Sequence, residues 1–256
     1  MNRRLPTLQL LGSENARIQR SEILSQFLRE KLRSRKGPVR ILEAGCGRSW
    51  PLDLGDIRFE LTGVDADRRA LDARVNEIGD LHRAIVGDLR NINFKPEEFD
   101  VVYCCEVLEH IRGAKEVLKA FFTWLQPNGV ALLVFPDRDT LFGLATRFSP
   151  HWIHVAYHKY VLGFPDAGKA GFGPYRTYYD DIISRRGIHK FCAEHNYHIA
   201  LEYGRPPALG SWARWFSSIY KVIGPIISRL SCGAISSNHI GLIYVIEKKH
   251  HSGNRL

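Results

Sequence analysis

Long apolar runs are missing from this 256-residue chain. No uninterrupted stretch approaches the ~18 residues that a membrane-crossing helix requires, and Met1 to Leu11 lacks the sustained apolar centre of a secretory signal. Cysteine is scarce and odd in number. Cys46, Cys104, Cys105, Cys192 and Cys232 include no C-x-x-C pair, which speaks against a disulfide framework and against a thiolate zinc site. The expectation is reduced thiols, no metal and a cytoplasmic location, with peripheral contact at the inner face of a membrane as its variant. Acids are also in deficit, 27 against 36 Lys and Arg, leaving a net charge of +9. That balance favours an anionic surface or substrate without separating phospholipid from nucleic acid.

Two nucleotide signatures are absent as well. No G-x-x-x-x-G-K-S/T phosphate loop occurs, and Gly45-Cys46-Gly47 is followed by Trp50 and Pro51 where a dinucleotide fold wants its third glycine. A nicotinamide oxidoreductase is therefore disfavoured. What is present is the stretch Val-Arg-Ile-Leu-Glu-Ala-Gly-Cys-Gly at 39–47, an apolar run ending in an acid and two spaced glycines. It reads as a parallel strand entering a tight cofactor-binding turn. A second apolar run, from Phe59, ends in Asp65, where a carboxylate can accept from both hydroxyls of a ribose. Together these residues suit a cofactor that approaches the backbone closely and carries no phosphate.

Residues 38–137 resemble the class I S-adenosylmethionine-dependent methyltransferases, with five segments in that family's order. Leu42 to Gly47 looks like the first motif, and Gly63-Val64-Asp65-Ala66-Asp67 like the acidic end of the second strand. Val86-Gly87-Asp88-Leu89 follows a third strand, Phe99 to Ile111 supplies the fourth strand with a Glu-His loop, and Leu125 to Pro136 the turn into the fifth. The resemblance implies S-adenosyl-L-methionine as cofactor. It implies that backbone around Gly45 and Gly47 approaches the methionine half, that Asp65 holds the ribose, that Asp88 accepts from the adenine amino group with the Leu89 amide nearby, and that Cys105 lines the pocket; Glu43, Cys46 and Ala66 are counted with them as cofactor-binding residues. Two departures stand out: Ser49 replaces a frequent third glycine, and Pro51 and Gly55 make 48–56 a poor helix.

The pattern predicts an α/β fold of Rossmann-like type, a doubly wound and mostly parallel seven-stranded sheet with helices on both faces. Helices are predicted over 17–35, near 68–78, near 113–125 and over 181–194. Strands are predicted near 82–87, 99–105, 129–135, 196–203 and 239–247. The charged face of the first helix reads as a solvated one. A single methyltransferase domain over 1–256 is expected, with a helical extension (1–37), a cofactor-binding half (38–137), an aromatic lid insertion (138–180) and a C-terminal half (181–256) that carries an amphipathic insertion at 206–236.

Between 141 and 179 the regular pattern fades, and Trp152, Tyr157, Tyr160, Phe164, Phe172 and Tyr175 accumulate among histidines, glycines and prolines. This reads either as a substrate-facing lid or as an aromatic cap on the core. Trp212, Trp215, Phe216, Ile219, Tyr220, Ile223, Ile226 and Leu230 recur at helical steps, with Pro225 expected to kink or restart the helix. Packing on the enzyme's own core and docking of 208–230 on an anionic membrane are both open readings.

The implied chemistry is displacement of an activated methyl group by an oxygen, nitrogen or carbon of an acceptor, for which alignment and exclusion of water suffice. His110 is a candidate general base for a hydroxyl acceptor, or a brace for the following helix. Similar Glu-His loops occur in family members that methylate small molecules, including quinone-type phenols. No Asn-Pro-Pro-Tyr-like tetrapeptide and no nucleophilic cysteine motif is present. A small-molecule, lipid or lipid-linked saccharide acceptor leads; a nucleic-acid methyltransferase and a non-catalytic cofactor-binding protein of the same fold are the alternatives. Oligomeric state leaves no mark in the sequence.

Overall fold

The computed structural model describes residues 5–12, 15–161, 163–169, 172–207, 223–231 and 234–249. Among these, eight strands form one sheet: β1 (Gln9–Leu10), β2 (Val39–Ala44), β3 (Phe59–Asp65), β4 (Arg83–Val86), β5 (Phe99–Cys105), β6 (Leu125–Pro136), β7 (His198–Arg205) and β8 (Gly241–Glu247). Their order is β1-β7-β8-β6-β5-β2-β3-β4. β8 runs antiparallel to both neighbours, and every other pairing is parallel. From β2 the chain builds outward through β3 and β4, then returns to place β5 and β6 on the other side of β2. The carboxyl ends of β2 and β5 therefore flank a topological switch point, where open α/β sheets bind ligands.

Central strands are apolar on both faces because both are covered. In β5, Val101 and Tyr103 face the layer containing Leu24, Leu28 and Leu32 of α1 (Ala16–Leu32). Val102 and Cys104 face Val117, Leu118 and Phe121 of α3 (Ala114–Trp124), as the two-residue period of a strand demands. α2 (Arg68–Ala73) follows β3 and continues into a single π-turn at Arg74–Ile78. α6 (Arg185–His195) packs Ile188, Phe191 and Cys192 on the α3 side.

The sheet has eight strands, one more than the seven predicted. The addition is β1, whose Gln9 pairs with Tyr203 at the edge of β7; two residues are too few to show a period. The segment after β6, predicted as irregular, holds α4 (Leu141–Phe148), α5 (His151–Ala156) and a π-turn at Tyr157–Val161. Thr140 starts α4 by accepting the Gly143 N–H at 2.9 Å, and Gly143 tolerates a backbone approach that a Cβ would block at 2.4 Å from the Asp137 carbonyl. The helix predicted from 181 begins at Arg185, since Ser184 caps it. Residues 48–56 form no helix, in keeping with Pro51 and Gly55. Of the predicted amphipathic helix, 208–222 lie outside the described residues, Trp212 and Trp215 among them, while 223–230 are helical and contain Pro225. No helix among the described residues is long and apolar enough to cross a membrane.

Candidate functional site

Where β2 ends, the chain turns on Gly45 (φ +75°) and Gly47 (φ +54°), conformations that strain any side chain. The two glycines serve different ends. A Cβ on Gly45 would lie 2.2 Å from Val107, whereas one on Gly47 would meet nothing within 4 Å. The first makes room for the protein's own packing; the second leaves bare backbone facing open space. Asp65 ties the turn to β3: its Oδ2 accepts the Gly47 N–H and its Oδ1 the Asp67 N–H, both at 2.8 Å. Each carboxylate oxygen retains acceptor capacity beyond these bonds.

Glu43 faces inward, and its contacts belong to the fold. Its Oε2 accepts from Arg74 at 3.0 Å, while Arg74 also donates to Asp80 at 2.7 Å and to the Cys46 carbonyl at 2.9 Å. Arg74 is fully buried. One guanidinium thus clamps the strand end, the glycine turn and the π-turn after α2. Burial pushes the Glu43 carboxyl up to about 8 against the pull of Arg74, and it pushes the Cys46 thiol up to about 12. Glu43 is a positioning residue for the turn.

Ala66 is exposed beside Asp65, and Leu89 is buried just beyond β4. Asp88 takes the Arg90 side chain on both oxygens, with Nε at 3.0 Å from each, and the Arg90 N–H on Oδ1 at 2.9 Å. The Arg90 guanidinium holds it below the usual carboxylate range. Cys105 closes β5; burial pushes its thiol up, with Arg20 pulling the other way.

The loop after β5 is strapped to the segment before α6. His110 Nδ1 lies 3.1 Å from the Arg176 carbonyl, the Tyr178 N–H donates to the Glu109 carbonyl at 2.8 Å, and Asp180 accepts from the Gly113 and Ala114 N–H groups at 2.7 and 2.9 Å. A carbonyl only accepts, so Nδ1 carries the proton and Nε2 keeps its lone pair in the neutral ring. Burial lowers the His110 pKa and favours that neutral form. Tyr175 stacks edge-on against His110 at 5.8 Å. Burial, with Asp67 and Asp65 nearby, raises its phenol.

The structure thus brings Gly45, Cys46, Gly47 and Asp65 into one turn, with Cys105 and His110 across the switch point. Asp88 and Leu89 stand one strand further out, at the end of β4. Sequence reasoning missed Arg74, Arg20 and Arg205, and it named Tyr175 only as one lid aromatic among many. Arg20 belongs to the stripe of Leu24 and Leu28 at four-residue steps and is buried, which corrects the reading of that charged position as solvated.

Residues 16–195 match the family model described as a methyltransferase domain. A relative from Mycolicibacterium smegmatis, named "Probable S-adenosylmethionine-dependent methyltransferase", is 30% identical over 138 residues, 52% of this chain and 51% of its own length. The chain thus spans about half of that relative. A ubiquinone biosynthesis O-methyltransferase from Pseudomonas savastanoi pv. phaseolicola is 22% identical over 216 residues, 81% of this chain and 77% of that protein. Among solved structures, an S-adenosylmethionine dependent methyltransferase from Mesorhizobium loti shares the fold, with a TM-score of 0.53, 12% identity and coverage of 92% of this chain and 100% of that one.

Proposed function

The chain belongs to the S-adenosylmethionine-dependent methyltransferase family, and from that premise we propose that it methylates an oxygen, nitrogen or carbon of a small molecule, lipid or lipid-linked saccharide. The observation that carries the reading is the Gly45–Gly47 turn bonded to Asp65, with open space over Gly47. A phosphate-free cofactor fits there, because bare backbone is available and the neighbouring acid has acceptors to spare. S-adenosyl-L-methionine, when bound, supplies a methyl group already activated on sulfur. The remaining work falls to the protein. Asp65 and Ala66 would hold the ribose, Asp88 and the Leu89 amide would meet the adenine, and Cys105 would line the wall beside the transfer point. The strap from Arg176 to Asp180 would fix the loop that carries His110, and the His110 Nε2, with Glu109 Oε1 at 3.9 Å, suits proton removal from a hydroxyl acceptor.

A lipid-type acceptor at an anionic membrane is supported by the net charge of +9 and by exposed apolar side chains between β6 and α6. Phe148, Trp152 and Tyr160 are 75%, 68% and 77% exposed, and Arg147 and Lys159 lie against the rings of Phe148 and Tyr160. Tryptophan and cationic side chains are the usual pair at a headgroup layer.

Calorimetry with S-adenosylhomocysteine and with NADH, followed by profiling of metabolites and lipids with an isotopically labelled methyl donor, tests the reading. S-adenosylhomocysteine should bind and NADH should not, and Asp65→Ala should weaken binding about 10–100-fold through loss of a charged hydrogen-bond acceptor. Unchanged affinity in Asp65→Ala overturns the ribose assignment. Binding without labelled product would make the chain a binding protein, and label in nucleic acid would replace the acceptor class.

A further inference from the structure

Asp88, the residue assigned to the adenine, has its acceptor sites filled by a side chain of its own turn. A carboxylate presents about four lone-pair sites on its two oxygens. Arg90 addresses them all: Oδ1 accepts the Arg90 N–H at 2.9 Å and Nε at 3.0 Å, while Oδ2 accepts the same Nε at 3.0 Å and Nη2 at 2.5 Å. The local backbone brings the arginine back onto the acid. The Asn91 N–H donates to the Asp88 carbonyl at 2.8 Å and closes a turn over 88–91, and Leu89 anchors that turn in the core. The clamp is therefore built into three consecutive residues.

Position makes this clamp a matter for the cofactor. Asp65 pairs with Val86 across β3 and β4, and the Gly87 N–H donates to the Asp65 carbonyl at 2.9 Å. Asp88 thus lies one strand outward from the residue assigned to the ribose, where the purine of the same nucleoside would reach it. An amino group arriving there meets a cation that already uses both oxygens. That cation is free to leave. The Arg90 side chain is 51% exposed, so its guanidinium can be rehydrated, and an ion pair at the surface contributes little to stability.

We propose that Arg90 is a gate on the adenine subsite: it competes with the 6-amino group of the purine for Asp88, and adenine binds by displacing it from at least one carboxylate oxygen. The proposal rests on the methyltransferase reading above. Selectivity among purines follows from the same contact. A 6-amino group donates to the freed oxygen, whereas a 6-oxo group only accepts and is served by the guanidinium that stays. Arg90 therefore lowers affinity for the adenine form and leaves the oxo form without that penalty.

Calorimetry with S-adenosylhomocysteine and S-inosylhomocysteine on wild type, Arg90→Met and Arg90→Lys tests the gate. Neither ligand carries a net charge at neutral pH, so the loss of one positive charge has little direct effect on their binding. Arg90→Met should bind S-adenosylhomocysteine about threefold more tightly than wild type, the scale set by a surface ion pair, and should gain nothing toward S-inosylhomocysteine. Lysine keeps the charge without the planar fork. Arg90→Lys should therefore show part of the gain, and it decides the question should Arg90→Met fail to fold. Raising NaCl from about 0.05 M to about 0.5 M should bring wild-type affinity toward that of Arg90→Met, whose own affinity stays flat, because salt screens the exposed pair. Affinity for S-adenosylhomocysteine that is unchanged or weaker in both variants overturns the gate and leaves the methyltransferase reading standing. Equal gains for the two ligands also overturn it, since the arginine would then act on something other than the amino group. If none of the three proteins binds S-adenosylhomocysteine, the methyltransferase reading falls and the gate with it.

Discussion

Glu109 sits in the Glu-His loop at 3% exposure with Oε2 unpartnered among the described residues, and burial raises its pKa from 4.5 to about 8. The folded chain therefore holds this proton more tightly than the unfolded one. Its contribution to stability is complete below about 4.5 and is lost as pH rises through about 8. Glu109→Gln keeps the shape and removes the titration. The stability of the variant relative to wild type should therefore grow as pH rises from 5 to about 9, read from thermal melts across that range. Parallel curves for the two proteins would place the pH dependence elsewhere. At this scale the glycines were legible and the glutamates only partly so. Gly45 and Gly47 announce a turn by their identity, whereas the inward course of Glu43 depends on Arg74, which the sequence presents as one arginine among many.

Among the elements, α3 is unusual in borrowing its cap. Gly113 stands at the N-cap with φ +80° and no side chain to offer, and the carboxylate of Asp180 takes the N–H groups of Gly113 and Ala114 from more than 60 positions away. Those amides are orphan donors of the first helical turn, and a carboxylate there also meets the positive end of the helix dipole. Asp180→Ala should cost about 1–2 kcal/mol, read as a lower urea midpoint at unchanged slope. It should also speed hydrogen exchange in both strap partners, around Tyr178 and around Glu109. An unchanged midpoint would show that solvent caps the helix equally well. The helix itself is evident from the spacing of Val117, Leu118, Phe121 and Phe122, while its cap is not, because the donor of the carboxylate is chosen by the fold.

For the whole molecule, the excess of cationic side chains and the exposed Phe148, Trp152 and Tyr160 bear on one expectation. Wild-type protein should co-sediment with vesicles containing phosphatidylglycerol more than with neutral phosphatidylcholine vesicles, and salt should weaken the association by screening. A Trp152→Ala/Tyr160→Ala variant and a Trp212→Ala/Trp215→Ala variant identify the segment responsible. Equal partitioning of wild type and both variants would remove the membrane reading.

The sequence by itself determined the α/β class, the strand-turn-acid pattern of Gly45, Gly47 and Asp65, and the alternation of elements through Pro136. Each of these is written locally, in the two-residue period of a strand, the steps of a helix or the identity of a turn residue. Tertiary structure alone decided the eighth strand, the inward turn of Glu43 toward Arg74, the docking of Tyr175 beside His110, and the meeting of Arg20 and Arg205 on Glu106. Arg205 and Glu106 are 99 positions apart. They meet because the sheet order sets β7 beside β8 and β8 beside β6, and no local period records which distant strand ends will share an edge.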